Sequence, residues 1–133
     1  MSTRRLAWVA WLIAATASNA AAADAAARVH CEVIYGGEIF PVVSQPTQQP
    51  YRVEGTKIGR YFEFKIVHVT APAAYPGIDI YTYALSTGEP VLIHQARYAP
   101  PYHQGKHRYG FTGLNAVYEP SKSSEMQYWC ELR

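Results

Sequence analysis

A chain of 133 residues has room for one domain, and 49% hydrophobic against 17% charged residues excludes a disordered or collagen-like chain. Twelve Lys and Arg face ten Asp and Glu, but Arg4 and Arg5 stand at the extreme N-terminus, ahead of an apolar run. Without that segment ten basic residues balance ten acidic ones, which argues against nucleic acid as a partner, because phosphates need a basic face.

Residues 1–23 read as a secretory signal peptide: a positive start, an apolar core over 6–15, then small residues, with Ala21-Ala22-Ala23 fitting the small-x-small rule. Cleavage before Asp24 leaves a single β domain over 24–133. The apolar core is shorter than the ~20 residues of a spanning helix, and no second hydrophobic span occurs further on. The expected location is therefore periplasmic or secreted, with no membrane span after cleavage. In such an oxidising compartment Cys31 and Cys130, at opposite ends of the mature chain, are expected to form a disulfide, and two cysteines allow only one pairing.

Strand signals dominate the mature chain. Segments 29–35 and 38–43 flank Gly36-Gly37, a two-residue turn that accepts positive φ at both positions. That turn sets Ile34 opposite Ile39, Val33 opposite Phe40 and Cys31 opposite Val42. Segment 44–50, polar with two prolines, reads as a loop, and 51–54 as a short strand ended by Gly55. Over 60–70, Phe62, Phe64, Ile66 and His68 fall on one face while Tyr61, Glu63 and Lys65 fall on the other, the alternation of a half-buried strand. After the break over 71–77, with two prolines and a glycine, 78–86 places Ile80, Thr82 and Ala84 on one side and Asp79, Tyr81, Tyr83 and Leu85 on the other. Segment 91–98 is a further strand. Segment 99–110, with two prolines and two glycines, is the main irregular stretch. Strands over 111–119 and 125–132 close the chain.

No segment of 24–133 sustains a 3.6-residue period over three turns, so helix content is expected to be low. Seven or eight short strands point to an all-β fold: a single small antiparallel β-sandwich or barrel, immunoglobulin-like or similar, closed by one disulfide.

Signatures of catalysis are missing from the sequence: there is no G-x-S-x-G elbow, no Gly-rich phosphate loop, no H-E-x-x-H and no free cysteine beside a histidine. Glu32, Glu38, Glu63, Asp79, Glu119 and Glu131 are scattered along the strands, the pattern of solvated faces. A non-enzymatic protein is expected.

Five histidines invite a metal reading, because neutral imidazole is a common ligand. His103 and His107 are the close pair. On a hairpin tip, a loop over 104–106 makes them cross-strand neighbours, roughly 4.5–5.5 Å apart at Cβ, whereas a loop over 103–105 separates them. They are the candidate ligands for a copper or zinc ion, and no other cofactor is expected; the plainer reading is solvated loop histidines. His68 and His94 share a pocket only if their strands are neighbours.

Tyrosine is the compositional anomaly, with 11 residues, all beyond position 24. Tyr98, Tyr102, Tyr109 and Phe111 interleave with Arg97, His103, Lys106, His107 and Arg108, and rigid aromatics mixed with arginine are what binding surfaces enrich. Arg97, Tyr98, Tyr102, Lys106, Arg108, Tyr109 and Phe111 are therefore the candidate partner-binding residues. Tyr61, Tyr81 and Tyr83 read as ordinary strand tyrosines.

The end-to-end cysteine layout, with Tyr128-Trp129-Cys130 closing the chain, is loosely similar to bacterial lysozyme inhibitors of the envelope. The resemblance covers the two cysteines and their neighbours, and the inhibitors' loop motif is not evident. The sequence thus supports an exported binding or accessory domain that recognises a protein or glycan of the cell envelope through an aromatic and basic loop. A periplasmic metal-binding accessory protein and an inhibitor of an envelope hydrolase such as lysozyme are its alternatives.

Overall fold

The computed structural model describes residues 27–70, 73–104 and 108–133. The expected signal peptide and its cleavage position lie outside them, as do Lys106 and His107. The strands are β1 (Val29–Tyr35), β2 (Glu38–Ser44), β3 (Pro46–Thr47), β4 (Thr56–Ile58), β5 (Phe62–Val69), β6 (Gly77–Ala84), β7 (Val91–Tyr98), β8 (Asn115–Glu119) and β9 (Ser124–Leu132). They form two sheets. The first runs β2-β1-β9-β8; the second runs β3-β5-β6-β7, with β4 also paired to β5. All pairings are antiparallel except the two-residue match of β3 with β5.

The first hairpin is dictated by its glycines. Gly36 and Gly37 carry φ of +60° and +80°, as a primed turn requires, and the register sets Cys31 against Val42 and Ile34 against Ile39. On its other side β1 pairs with β9, which places Cys31 directly opposite Cys130. The two are disulfide-bonded, with Cα atoms 4.1 Å apart and 99 positions between them in sequence. Arg28 and Arg133 extend this closure, exchanging backbone hydrogen bonds of 2.7 and 3.0 Å.

Alternation builds the core. Val29, Cys31, Val33, Val117, Met126, Tyr128 and Cys130 from the first sheet meet Ile58, Phe62, Phe64, Ile66, Ile78 and Ile80 from the second in one buried cluster. The Phe64 and Tyr128 rings touch across the sandwich at 5.1 Å. The alternation on β5 and β6 therefore does two things: one set of side chains fills the core, and the other makes the outer face of the second sheet.

At several points the structure corrects the expectations from sequence. Residues 50–52 form a single 3-10 turn in place of a strand, since Pro50 presets a helical φ and Arg52 N–H donates to the Gln49 carbonyl at 3.1 Å. Pairing resumes only at Thr56, beyond Gly55. The segment read as a loop contributes β3, an edge pairing that tolerates Pro46. The last-but-one strand begins at Asn115, because residues 109–113 turn back on themselves, with Gly113 N–H donating to the Tyr109 carbonyl at 3.1 Å. Within that turn, Gly110 and Phe111 lie along β9, where Phe111 N–H donates to the Cys130 carbonyl at 3.0 Å. Gly110 has φ of +59°, and a Cβ there would fall 2.0 Å from the Cys130 carbonyl oxygen, so only glycine fits.

Two acids read as solvated are buried. Glu119 accepts hydrogen bonds from the Ser121 hydroxyl at 2.6 Å, the Lys122 N–H at 2.8 Å and the Ser86 hydroxyl at 3.3 Å, tying the β8–β9 turn to the end of β6. The Ser121 hydroxyl above all, then the neighbouring backbone N–H groups, hold its carboxyl below the usual range against the opposing effect of burial. Asp79 is the other, and it belongs to the outer face of β6.

Candidate functional site

On β6, Asp79, Tyr81 and Tyr83 alternate with the inward Ile78, Ile80 and Thr82, and so face away from the core. Register brings Lys65 of β5 opposite Tyr81, and sets Val67, Asp79 and Arg97 in one row across β5, β6 and β7. The 3-10 turn raises Tyr51 at one side of this face, and the stretch 73–75 raises Tyr75 at another. Between them lies an open groove of about 600 Å³. Tyr51 is 100% exposed and Tyr75 81% exposed, so neither ring is held by packing.

Tyr81 and Tyr83 form the aromatic part of the floor, with ring centroids 6.4 Å apart and planes within 24° of parallel. The Lys65 ammonium stands over both, 5.5 and 5.4 Å from their centroids. Burial, with the Asp79 charge adding to it, pushes the Tyr81 hydroxyl pKa up, so this group remains a hydrogen-bond donor through the neutral range. Arg97 donates from Nη1 to Asp79 Oδ2 at 2.6 Å and from Nη2 to the Tyr75 carbonyl at 3.2 Å. Gly77 admits the β7 backbone and this guanidinium at close range, since a Cβ there would lie 2.9 Å from the Tyr98 carbonyl oxygen and 3.2 Å from Arg97 Nη2. Asp79 is 6% exposed, and its Oδ1 has no hydrogen-bond partner among the described residues. A buried carboxylate oxygen left unsatisfied beneath a half-exposed arginine is an acceptor available to a ligand once that side chain shifts.

The candidate partner-binding residues do not form one exposed surface. Arg97 is the member that lines the groove. Tyr98, Tyr102 and Phe111 turn inward and pack against the core, with Tyr98 and Phe111 rings 5.2 Å apart, Tyr102 and Phe111 5.6 Å, and His68 and Tyr102 6.1 Å. The physical reason is that the space between β7 and the Gly110–Phe111 stretch has to be filled, and these rings are the apolar mass at hand. Arg108 and Tyr109 lie on the outer face of the first sheet, where Arg108 stands 5.3 Å over the Tyr109 ring and Tyr109 packs 6.2 Å from Trp129. They border a smaller hollow of about 290 Å³ with Glu32, Ile34, Ile39 and Leu114.

Of the metal candidates, His103 is exposed in a stretch without strand structure, and His107 falls outside the described residues. Among the described residues no three His, Cys, Asp or Glu side chains gather as a metal site would need. His68 and His94 do not share a pocket. They pair with Ile78 and Thr82 of β6, four positions apart, or roughly 13 Å along the strand at ~3.3 Å per residue. His94 instead meets the Tyr128 hydroxyl, Nε2 to O 2.7 Å.

The burial of His94 predicts a pH dependence. Burial lowers the His94 pKa, so the folded protein keeps the imidazole neutral where the unfolded chain begins to take up a proton. Stability is therefore expected to fall as pH drops below about 6.5, the unfolded histidine value, and to be level with respect to His94 above it. Urea midpoints measured at pH 7.5 and pH 5.5 for wild type and His94→Asn check this: the variant should lose part of the difference between the two, and an unchanged difference would remove His94 as its source.

Tyr51, Tyr75, Tyr81, Tyr83 and Lys65 do not stand out as binding residues in the sequence. The signal is present in part, since alternation on β6 places Asp79, Tyr81 and Tyr83 on one face. What the sequence lacks is the pairing of that face with Lys65 and Arg97. Comparison with protein families, with curated proteins and with solved structures returns no match for this chain.

Proposed function

We propose that this protein is an exported, non-enzymatic binding domain that takes a glycan chain across the tyrosine groove of its second sheet. The observation that carries the reading is the groove's composition. Freely exposed rings on its walls stand over a floor of charged and hydroxyl-bearing groups. A sugar ring has the matching division, with apolar C–H faces that stack on aromatics and hydroxyls at the edge that both donate and accept. A peptide fits less well. Extended peptides are gripped through the free main-chain groups of an edge strand, whereas β6, which carries Asp79, Tyr81 and Tyr83 on the groove floor, is paired with β5 on one side and β7 on the other. The acid lining the groove, Asp79, is held in an ion pair with Arg97, which supports binding over proton transfer. No described feature favours the metal-binding or hydrolase-inhibitor alternatives.

Retardation of the protein in native gels cast with soluble neutral and acidic polysaccharides tests the reading. Retardation by at least one polymer, reversed by excess of its free oligosaccharide, is the expected result. Migration unaffected by every polymer would overturn it.

Export is part of the same proposal. The disulfide agrees with an oxidising compartment, and among the described residues no helix is long and apolar enough to cross a membrane. The expected mature species begins at or within a few residues of Asp24, and intact-mass measurement of secreted or periplasmic material checks it. A full-length chain retained in the membrane fraction would contradict it.

A further inference from the structure

The groove holds two cations, and they differ in what they face. Arg97 has its carboxylate: Nη1 meets Asp79 Oδ2 at 2.6 Å. Lys65 has none among the described residues, whose ion pairs join Arg97 to Asp79 and Arg133 to Glu131. Glu63, two positions earlier on the same face, packs its carboxylate against Gly55, on the β4 side of β5. The Lys65 ammonium is held instead over the Tyr81 and Tyr83 rings, 5.5 and 5.4 Å from their centroids. A cation–π contact fixes its position without neutralising its charge. The floor thus presents a placed, uncompensated positive charge between walls suited to sugar rings.

We infer that the glycan is acidic: a polymer of uronic acid type, whose ring carboxylate accepts hydrogen bonds from the Lys65 ammonium while the rings on either side lie against Tyr51 and Tyr75. This inference rests on the glycan-binding reading above and adds the charge of the ligand to it. The chemistry is consistent on both sides. A carboxylate gains a charge-assisted hydrogen bond. An isosteric neutral sugar leaves the ammonium with only the ring faces and solvent. Arg97 differs in that its charge is already offset by Asp79, with one N–H given to Asp79 Oδ2 and another to the Tyr75 carbonyl, so the charge left to a ligand's carboxylate is that of Lys65.

The test titrates oligouronates of the galacturonate, mannuronate and glucuronate types, and their methyl esters, into wild type, Lys65→Met and Lys65→Arg by calorimetry. Methyl esterification removes the charge and keeps the ring. Wild type should bind at least one oligouronate about tenfold tighter than its ester, the scale of one charge-assisted hydrogen bond. The preference should be lost in Lys65→Met, kept in Lys65→Arg, and reduced as salt is raised. Equal binding of acid and ester, or a preference that survives in Lys65→Met, overturns the acidic-ligand inference and leaves glycan binding standing. Failure of wild type to bind the oligouronates while neutral polysaccharides retard it has the same meaning. Failure of every glycan, neutral or acidic, overturns both.

Discussion

Replacing Cys31 and Cys130 together with alanine is expected to lower the stability of the folded domain by about 4–5 kcal/mol, the loop-closure value for a cross-link of roughly 100 residues. The bond spans 99 positions and joins β1 to β9, so it ties the first strand of the sandwich to the last. Nearly the whole described chain lies inside the closed loop, and in the unfolded state the link removes the largest share of conformational freedom a single bond of this chain can remove. A domain of this size has a total stability of about 5–15 kcal/mol, so the loss takes much of it. The two sulfurs also lie in the core, with Cys31 2% and Cys130 0% exposed, which adds a packing loss on truncation. Urea unfolding of wild type and the double variant, each with and without reductant, separates the two effects. Reductant should destabilise wild type strongly and leave the double variant unchanged. A loss below about 1 kcal/mol would mean that the hydrogen-bonded pairing of β1 with β9 closes the fold on its own.

How much of the fold is legible in the chain depends on whether the deciding interaction is local. The Gly36-Gly37 hairpin and its register are local, because two glycines of positive φ and the alternation around them leave few other pairings. The faces of β5 and β6 are legible for the same reason, since period two assigns inside and outside without reference to the partner strand. The 3-10 turn at Pro50–Arg52 is not legible, because Tyr51 and Val53 carry strand propensity and the proline's helical φ outweighs it in the folded chain. Tyr98 and Tyr102 show a different limit. Their spacing among arginines and histidines reads as a surface, but whether a ring in an irregular stretch turns in or out is decided by the space left between β7 and the stretch along β9. Only the assembled sandwich defines that space. Asp79 is misread in the same way, since an acid on an outward face is solvated unless a neighbouring strand brings a partner over it, as β7 does with Arg97.

The candidate groove is a consequence of this architecture. A face of paired central strands holds its side chains rigidly, and irregular segments on two sides raise Tyr51 and Tyr75 above it. Positions on the floor serve both packing and recognition, so their substitution mixes stability with binding. Positions on the walls are separable, because exposed rings contribute little to the fold.

That separation defines the second large effect. Tyr51→Ala and Tyr75→Ala are each expected to weaken glycan binding roughly fivefold to tenfold, from about 1–1.5 kcal/mol per aromatic stack. The double variant should approach the product of the two, provided the rings contact different sugars and do not share a partner. With exposures of 100% and 81%, the rings have little to lose on folding, and surface substitutions of this kind change stability by about 0.5 kcal/mol or less. Urea midpoints within that margin, together with an affinity loss near the product, are the expected pair of results. Tyr51→Phe and Tyr75→Phe keep the ring and should retain most of the affinity, which assigns the effect to stacking and not to the hydroxyl. Tyr98→Ala and Tyr102→Ala should show the reverse pattern, with a stability loss of about 3–5 kcal/mol at most for a large aromatic packed against the core and little change in affinity for the fraction that remains folded. If the wall variants bind as wild type does, the walls do not hold the ligand and the groove is not the binding site.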